Sequence, residues 1–230
     1  MAENKPIKVI LLGESGVGKT NLIRVSIGEK FEDNPLSTIT SSYCEGRIMI
    51  DDKKYLYNLW DTAGQEKYRS LNRLFIKDSN IIIIVFAINK KTTFDQVDFW
   101  HKFTKEYLEE GSYILGLIGN KSDMYEEEQV SSEEIAKKAK ELGINYKITS
   151  ARIDPKGFKD FLNGLLEEYI SNHNTEEYNG SISFQIGQDD DDRNNNGKKK
   201  MLFGELNILK SLLKDLVFSK FYYFWNFVLI

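Results

Sequence analysis

The sequence predicts an α/β protein, a three-layer sandwich in which helices cover both faces of a six-stranded, mostly parallel sheet. Apolar runs of six to eight residues alternate with longer segments that have helical periodicity. The run at residues 81–86 is apolar at every position, as expected for a central parallel strand that is buried on both faces. In such a sheet the ligand binds at the carboxyl ends of the strands.

The elements follow from these patterns in chain order. We predict strands at 6–12, 43–50, 54–60, 80–87, 113–119 and 144–149, and five helices at 18–28, 66–77, 93–109, 131–142 and 156–172. The turn Asp51-Asp52-Lys53 joins two adjacent strands and predicts a hairpin, which supplies one antiparallel edge strand. Ser131 and Glu134 have the spacing of a capping box at the start of the fourth helix.

The predicted domain covers residues 1–172, and two further segments follow it. Residues 173–200 are rich in Asn, Asp, Gly and Ser, so we expect a disordered linker. Residues 201–230 have leucines at spacings of four and three, and the last ten residues carry no charge. Ten residues are too few to span a bilayer, which needs about 20. Three interpretations stay open: an amphipathic membrane-surface anchor, a helix that docks on a partner or on its own domain, or a gene-model artefact.

The composition agrees with a cytoplasmic domain. The 230-residue chain has a net charge of -4, so the chain as a whole lacks the excess of positive charge typical of nucleic-acid-binding proteins, and we expect no nucleic acid polymer as a partner. The single cysteine, Cys44, excludes an internal disulfide and suits a reducing compartment. Residues 1–6 lack the apolar segment of a signal peptide.

The first strand is followed by a phosphate-binding motif, in which a Gly and four further residues precede Gly-Lys-Thr. The motif reads Gly13-Glu14-Ser15-Gly16-Val17-Gly18-Lys19-Thr20. Glycines let backbone N–H groups close around phosphate oxygens, while Lys19 supplies a positive charge and Thr20 a hydroxyl ligand for Mg²⁺. A chance glycine-rich turn is the alternative. The apolar strand before the motif and the helical pattern after it favour a P-loop NTPase-type sandwich.

Two later loops indicate which base is bound. Asn120-Lys121-Ser122-Asp123 follows the fifth strand, and Thr149-Ser150-Ala151 follows the sixth. The Asp123 carboxylate can accept two hydrogen bonds from guanine, whereas adenine offers no such donor pair. Asn120 would link this loop to the phosphate loop, the stem of Lys121 would pack on the base, and the Ala151 amide could donate to guanine O6.

A third motif, residues 60–66, follows the third strand and reads Trp-Asp-Thr-Ala-Gly-Gln-Glu. Asp61 would hold Mg²⁺, Gly64 would donate its N–H to the γ-phosphate, and Gln65 would orient the attacking water. Residues 37–40, Ser-Thr-Ile-Thr, form the loop expected to bring a second hydroxyl to the metal.

With these four motifs in order, residues 6–172 resemble the Ras superfamily of small GTPases, and the Rab family most closely. Ser15, residues 60–66 and the following Lys-Tyr-Arg-Ser-Leu at 67–71 carry the resemblance to Rab proteins. A Rho-type chain would need an inserted helix after Asp123, and the seven residues between Asp123 and Ser131 are too few for one. An Arf-type chain would need glycine at position two, where this chain has Ala2.

The resemblance implies a GTP-binding and hydrolysing switch in vesicle and membrane trafficking, peripheral on the cytosolic face of an endomembrane. It implies a slow intrinsic rate, Mg²⁺ as cofactor, and an exchange factor, a GTPase-activating protein and effectors as partners. The tail adds a membrane surface as a further expected partner.

Carried over residue by residue, the resemblance assigns Gln65 and Lys19 to catalysis and Thr20, Thr38 and Asp61 to the metal. Phe31 is the aromatic against the guanine. The nucleotide-binding set is Ser15, Gly16, Val17, Gly18, Lys19, Thr20, Phe31, Thr38, Gly64, Asn120, Lys121, Asp123, Ser150, Ala151 and Arg152. Tyr43, Trp60 and Phe75 correspond to the aromatic triad that binds effectors, and ordinary half-buried packing is the alternative for each of them.

The chain departs from the Rab pattern at three places. Residues 40–43 read Thr-Ser-Ser-Tyr where Rab proteins have Gly-x-Asp-Phe, which puts the choice of effectors in doubt. Arg152 replaces the usual Lys, and its planar guanidinium can still stack. No cysteine follows Cys44, so C-terminal prenylation is not expected. Two functional classes stay open: an active GTPase switch, and a nucleotide-locked binding module on the same fold.

Overall fold

A computed structural model of the chain describes residues 5–33, 35, 38, 42–62 and 69–173, with the backbone alone described at 69–72. The chain divides into two units, Met1–Asn179 and Gly180–Ile230, and the described residues all belong to the first. The predicted linker beyond residue 173 and the predicted tail at 201–230 lie outside the described residues, as do Gly64 and Gln65.

Six strands form one sheet in the order β2-β3-β1-β4-β5-β6. They are β1 (Ile7–Leu12), β2 (Ser42–Ile50), β3 (Lys53–Asp61), β4 (Ile81–Ala87), β5 (Ile114–Asn120) and β6 (Asn145–Ile148). Only the pair of β2 and β3 is antiparallel among these strands, and its two-residue turn has positive φ at Asp51 and Asp52. The predicted sheet and its antiparallel edge are confirmed.

Helices cover both faces of this sheet. They are α1 (Lys19–Ser26), α2 (Arg69–Ile76), α3 (Lys91–Phe94), α4 (Val97–Tyr107), α5 (Ser132–Leu142) and α6 (Pro155–Asn172). The predicted capping box is present, because the Ser131 hydroxyl accepts from the Glu134 N–H and the Glu134 carboxylate accepts from the Ser131 N–H. Within the described part of the chain, no helix is both long enough and apolar enough to cross a membrane.

The fully buried strand β4 divides the core into two layers. Ile81, Ile83 and Val85 face a cluster that includes residues of α1 and α6. Ile82, Ile84 and Phe86 face a second cluster that includes residues of α2, α3, α4 and α5. Alternate side chains of one strand therefore enter opposite cores, which is why the run 81–86 has no polar position.

Two details differ from the sequence prediction. The helix predicted at 93–109 is two helices, α3 and α4, separated by Asp95 and Gln96. A 3₁₀ helix, Ser122–Glu127, follows β5 in a segment where none was predicted. The break after α3 accompanies buried Thr93, whose hydroxyl accepts from the Ala87 N–H and donates to the Lys90 carbonyl, so α3 is tied to the loop after β4.

Candidate nucleotide-binding site

A cavity of about 430 Å³ lies at the carboxyl-end side of the sheet, among the loops that follow β1, β5 and β6. Twelve of the residues predicted from the sequence line it: Ser15, Gly16, Gly18, Lys19, Thr20, Phe31, Thr38, Asn120, Lys121, Asp123, Ala151 and Arg152. Five further residues line the cavity for which the sequence predicts no role: Asn21, Asp33, Pro35, Thr62 and Met124. Val17 and Ser150 are fully buried behind this surface.

The phosphate loop depends on glycines where the chain turns closely against other groups. Gly13 has φ +145° and Gly18 has φ +96°. A Cβ at Gly13 would overlap the Val85 carbonyl, and one at Gly18 would overlap the Asn120 carboxamide. Any larger residue at either position would therefore displace the loop from β4 or from the loop after β5.

Lys19 is a buried cation held by the loop itself. Its Nζ donates to the carbonyls of Gly13 (2.8 Å) and Glu14 (3.0 Å). Burial lowers the pKa of Lys19 to about 8, and the charges of Asp61 and Glu14 oppose that shift. A cation with so little access to water is poised for the negative oxygens of a phosphate.

Two hydroxyls and one carboxylate meet beside Lys19. Thr20 Oγ1 donates to Asp61 Oδ2 (2.7 Å) and lies 3.0 Å from Thr38 Oγ1, which in turn donates to Asp61 Oδ2 (3.3 Å). Burial raises the pKa of Asp61, while the Thr20 hydrogen bond and the Lys19 charge oppose the shift. Thr40 lies outside the described residues.

This oxygen cluster fits a hard divalent cation. Among the described residues, no donor reaches the buried Asp61 Oδ1, and an unpartnered buried carboxylate oxygen is costly unless a cation or a donor faces it. Hydroxyl and carboxylate oxygens are the ligands that Mg²⁺ prefers.

Asn120 connects the three loops around the cavity. The loop after β5 also places Lys121 at φ +68°. The Asn120 carboxamide donates to the Val17 carbonyl (2.8 Å) in the phosphate loop and accepts from the Ala151 N–H (3.1 Å) in the loop after β6. Both bonds are buried. The side chain therefore fixes the phosphate loop against the loops that were expected to contact the base.

Asp123 is fixed by the loop after β6. The Ser150 hydroxyl donates to Asp123 Oδ1 (2.5 Å) and accepts from the N–H groups of Arg152 (3.1 Å) and Ile153 (3.3 Å). With one oxygen held in this way, the Asp123 carboxylate has a fixed orientation beside the cavity.

The rim of the cavity is closed by Phe31 and Arg152. The Arg152 guanidinium lies over the Phe31 ring, 5.6 Å from its centroid, and its Nη2 donates to Asp33 Oδ1 (2.6 Å). Arg152 and Asp33 are 119 positions apart in the chain, so no local pattern could have predicted this ion pair.

The three aromatic residues Tyr43, Trp60 and Phe75 lie together on the same side of the sheet. The Tyr43 and Trp60 rings stack at 4.7 Å, and the Trp60 and Phe75 centroids are 5.9 Å apart. Tyr43 is 52% exposed, while Trp60 and Phe75 are partly buried against the second core cluster. The structure brings the triad together, and its role in effector binding stays a prediction.

Comparison with known proteins identifies the family. The model of the family described as "Ras family" matches residues 8–171, which is most of the chain and includes every described loop around the cavity. The chain belongs to the Ras family. It is a Rab-like small GTPase, which binds GTP and hydrolyses it to GDP.

This Ras-family GTPase is similar over most of its length to a fission yeast protein. The relative is the "GTP-binding protein ypt3" of Schizosaccharomyces pombe, 33% identical over 184 residues. The match covers 79% of this chain and 85% of the relative. The resemblance to the Rab family and the α/β fold inferred from the motifs are therefore confirmed.

Proposed function

We propose that this Rab-like GTPase is a Mg²⁺-dependent molecular switch that acts in vesicle and membrane trafficking on the cytosolic face of an endomembrane. The proposal rests on one observation, that three sets of groups lie around a single cavity. They are the phosphate loop, the Thr20–Thr38–Asp61 oxygen cluster, and Asp123, which is hydrogen-bonded to Ser150. Phosphates, cation and base each have a separate set of groups to bind them.

Each set has a distinct role in the proposed mechanism. Lys19 Nζ donates to the Gly13 and Glu14 carbonyls and has a third N–H for the outer phosphates, while the loop N–H groups from Gly16 to Thr20 would donate to the phosphate oxygens. Asp123 accepts from guanine, and the Ala151 N–H, which donates to Asn120 Oδ1, would also donate to guanine O6. Thr20, Thr38 and Asp61 would hold Mg²⁺, which when bound neutralises charge that develops on the phosphates.

The switch depends on the γ-phosphate, which GTP has and GDP lacks. Thr38 and Gly64 would bind near that group, so its loss on hydrolysis would release both of their loops. Gln65 would orient the attacking water. The phosphate loop carries no arginine to stabilise the transferred group, so we expect slow intrinsic hydrolysis and acceleration of about 10³ to 10⁵ by a partner's arginine.

Base identity is tested by nucleotide competition on the full-length protein. We expect GTP and GDP to displace a fluorescent GDP while ATP does not. Asp123→Asn should weaken guanine binding and shift the preference toward xanthine, whose C2 oxygen can accept from the new amide. Equal binding of ATP and GTP by the unaltered protein would show that Asp123 does not select the base.

The switch itself is tested by single-turnover hydrolysis of bound GTP, with and without Mg²⁺. Gln65→Leu should remove most of the stimulated rate and leave nucleotide affinity nearly unchanged, because Gln65 would act on the water and not on the nucleotide. Absence of hydrolysis by the unaltered protein, with intact GTP binding, would instead favour the alternative of a nucleotide-locked binding module.

A further inference from the structure

Asn21 is a buried polar residue for which the sequence predicts no role. It follows Thr20 on α1, is 5% exposed, and lines the nucleotide cavity. Its carboxamide forms two hydrogen bonds with the main chain of one residue, Glu32: Nδ2 donates to the Glu32 carbonyl (2.8 Å), and Oδ1 accepts from the Glu32 N–H (3.1 Å). A side-chain amide thus binds a main-chain segment in the way that a neighbouring strand would.

The segment held by Asn21 carries two residues of the cavity rim. Phe31 precedes Glu32, Asp33 follows it, and both line the cavity. Within the described part of the chain, the backbone of residues 30–33 makes no hydrogen bond besides these two. The Glu32 side chain adds an ion pair with Arg24, also on α1, but that pair is exposed to solvent and therefore worth less than the buried amide contacts.

We propose that Asn21 is a positioning residue for nucleotide retention, which holds Phe31 at the rim of the guanine site through the Glu32 backbone. Release of the nucleotide then requires residues 31–33 to move away from the base. Because α1 begins within the phosphate loop, the rim segment is anchored to the element that binds the phosphates. The inference rests on the proposed contact between Phe31 and guanine.

The two hydrogen bonds explain why an asparagine suits this position. A buried donor and acceptor without partners would cost stability, so Asn21 favours the closed position of the rim in which both are satisfied. Alanine at position 21 would remove that preference and free the Glu32 backbone to exchange with water. The phosphate loop, the oxygen cluster and Asp123 would keep their own contacts.

The experiment measures release of fluorescent N-methylanthraniloyl-GDP from the full-length protein after excess unlabelled GDP is added. Asn21→Ala should release the label about tenfold faster, as expected for the loss of one to two net hydrogen bonds. In a Phe31→Ala background the same substitution should change the release rate less than about twofold, because Asn21 would slow release only by holding the Phe31 ring in place. Should the alanine variant fail to fold, Asn21→Ser makes the same test, since its side chain is too short to reach both Glu32 groups.

Asn80→Ala is the matched control. Asn80 also forms two side-chain hydrogen bonds, accepting from the Lys8 N–H (2.8 Å) and donating to the Tyr169 hydroxyl (2.7 Å), but it directly precedes β4 at the other end of the sheet. We expect this variant to lower the melting temperature and to leave the release rate unchanged.

The possible outcomes separate the inference from the proposed function. Unchanged release by Asn21→Ala, equal acceleration by Asn80→Ala, or full additivity with Phe31→Ala would each overturn the positioning role while leaving guanine binding intact. Absence of guanine-selective binding by the unaltered protein would overturn both. If Phe31→Ala itself does not accelerate release, the route through Phe31 is wrong.

Discussion

Lys19 couples nucleotide binding to pH. Its pKa is lowered to about 8 by burial, and the negative oxygens of a bound phosphate would raise that pKa again. Well below pH 8 Lys19 is mostly protonated both with and without nucleotide, so it contributes little pH dependence there. Above pH 8 the nucleotide-free protein loses the proton first, so binding takes up a proton and weakens as the pH rises.

This linkage predicts a measurable proton uptake. Calorimetry of GDP binding in buffers with different ionisation enthalpies should give about 0.75 proton per nucleotide at about pH 8.5 and about 0.25 at about pH 7.5, where the GDP phosphates are already ionised. The same small uptake at both pH values would mean that Lys19 stays protonated throughout. In that case the hydrogen bonds to the Gly13 and Glu14 carbonyls would offset the effect of burial on the pKa of Lys19.

The ion pair between Asp33 and Arg152 should have only a small effect on release. The two side chains are 67% and 55% exposed, so the pair is worth about 0.2–1 kcal/mol and is screened by salt. Asp33→Asn should therefore speed release of fluorescent GDP less than about fivefold at low salt and hardly at all at high salt. An effect that persists at high salt would show that Asp33 acts through something other than this charge pair.

Individual residues show what the sequence could and could not predict. The phosphate loop, Asp61, Asn120 and Asp123 follow strands with fixed motif spacing, so sequence alone places them near one another. The Asn21 contact with Glu32 joins a helix to a loop with no regular geometry, and Arg152 meets Asp33 across 119 positions. Contacts of this kind depend on loop conformation, which periodicity does not encode.

The loops at the ends of β1, β5 and β6 act together through Asn120. Asn120→Ala would leave the Val17 carbonyl buried without its donor, at about 1–3 kcal/mol, and would remove the link to the Ala151 N–H. We expect GDP affinity to fall by about fivefold to 150-fold, measured by titration with fluorescent GDP.

Ser131→Ala is the control for a general loss of stability. It removes the cap of α5 and should lower the unfolding free energy by about 1 kcal/mol, with unchanged GDP affinity. If the two variants weakened GDP binding equally, Asn120 would have no specific role in joining the loops.

Among the elements, the helix predicted at 93–109 shows where periodicity fails. Phe94, Val97 and Trp100 all enter the same core cluster, so their spacing of three reads as one continuous helix. The chain nevertheless ends α3 at Phe94, where the Thr93 hydroxyl is bonded to the loop after β4. The capping box at Ser131 was predictable because both of its partners lie within four residues.

At the scale of the whole chain, the tail at 201–230 is the segment whose role rests on sequence alone. If it is a membrane-surface anchor, its leucines and terminal aromatics enter the headgroup boundary, at about 1.5–3 kcal/mol for each fully buried apolar side chain. Full-length protein should float with anionic liposomes, and a variant truncated after Lys200 should not.

High salt distinguishes the forces in that experiment. Flotation should persist at high salt, because apolar insertion rather than the three lysines at 198–200 would dominate binding. Equal recovery of the full-length and truncated proteins in the soluble fraction would remove the anchor hypothesis. Sequencing the 3′ end of the transcript would then test the gene-model alternative.

The position of β1 in the middle of the sheet has a consequence for synthesis on the ribosome. Ile7–Leu12 is made before both of the strands with which it pairs, β3 and β4, and the last residue of β4 is Ala87. The ribosome adds about 5–20 residues per second, so about 4–15 s pass between the synthesis of this apolar strand and that of β4, the later of its two partners. During that interval its unpaired edges are open to other nascent chains, so a chaperone that binds short apolar segments should contact β1 and leave once β4 has emerged.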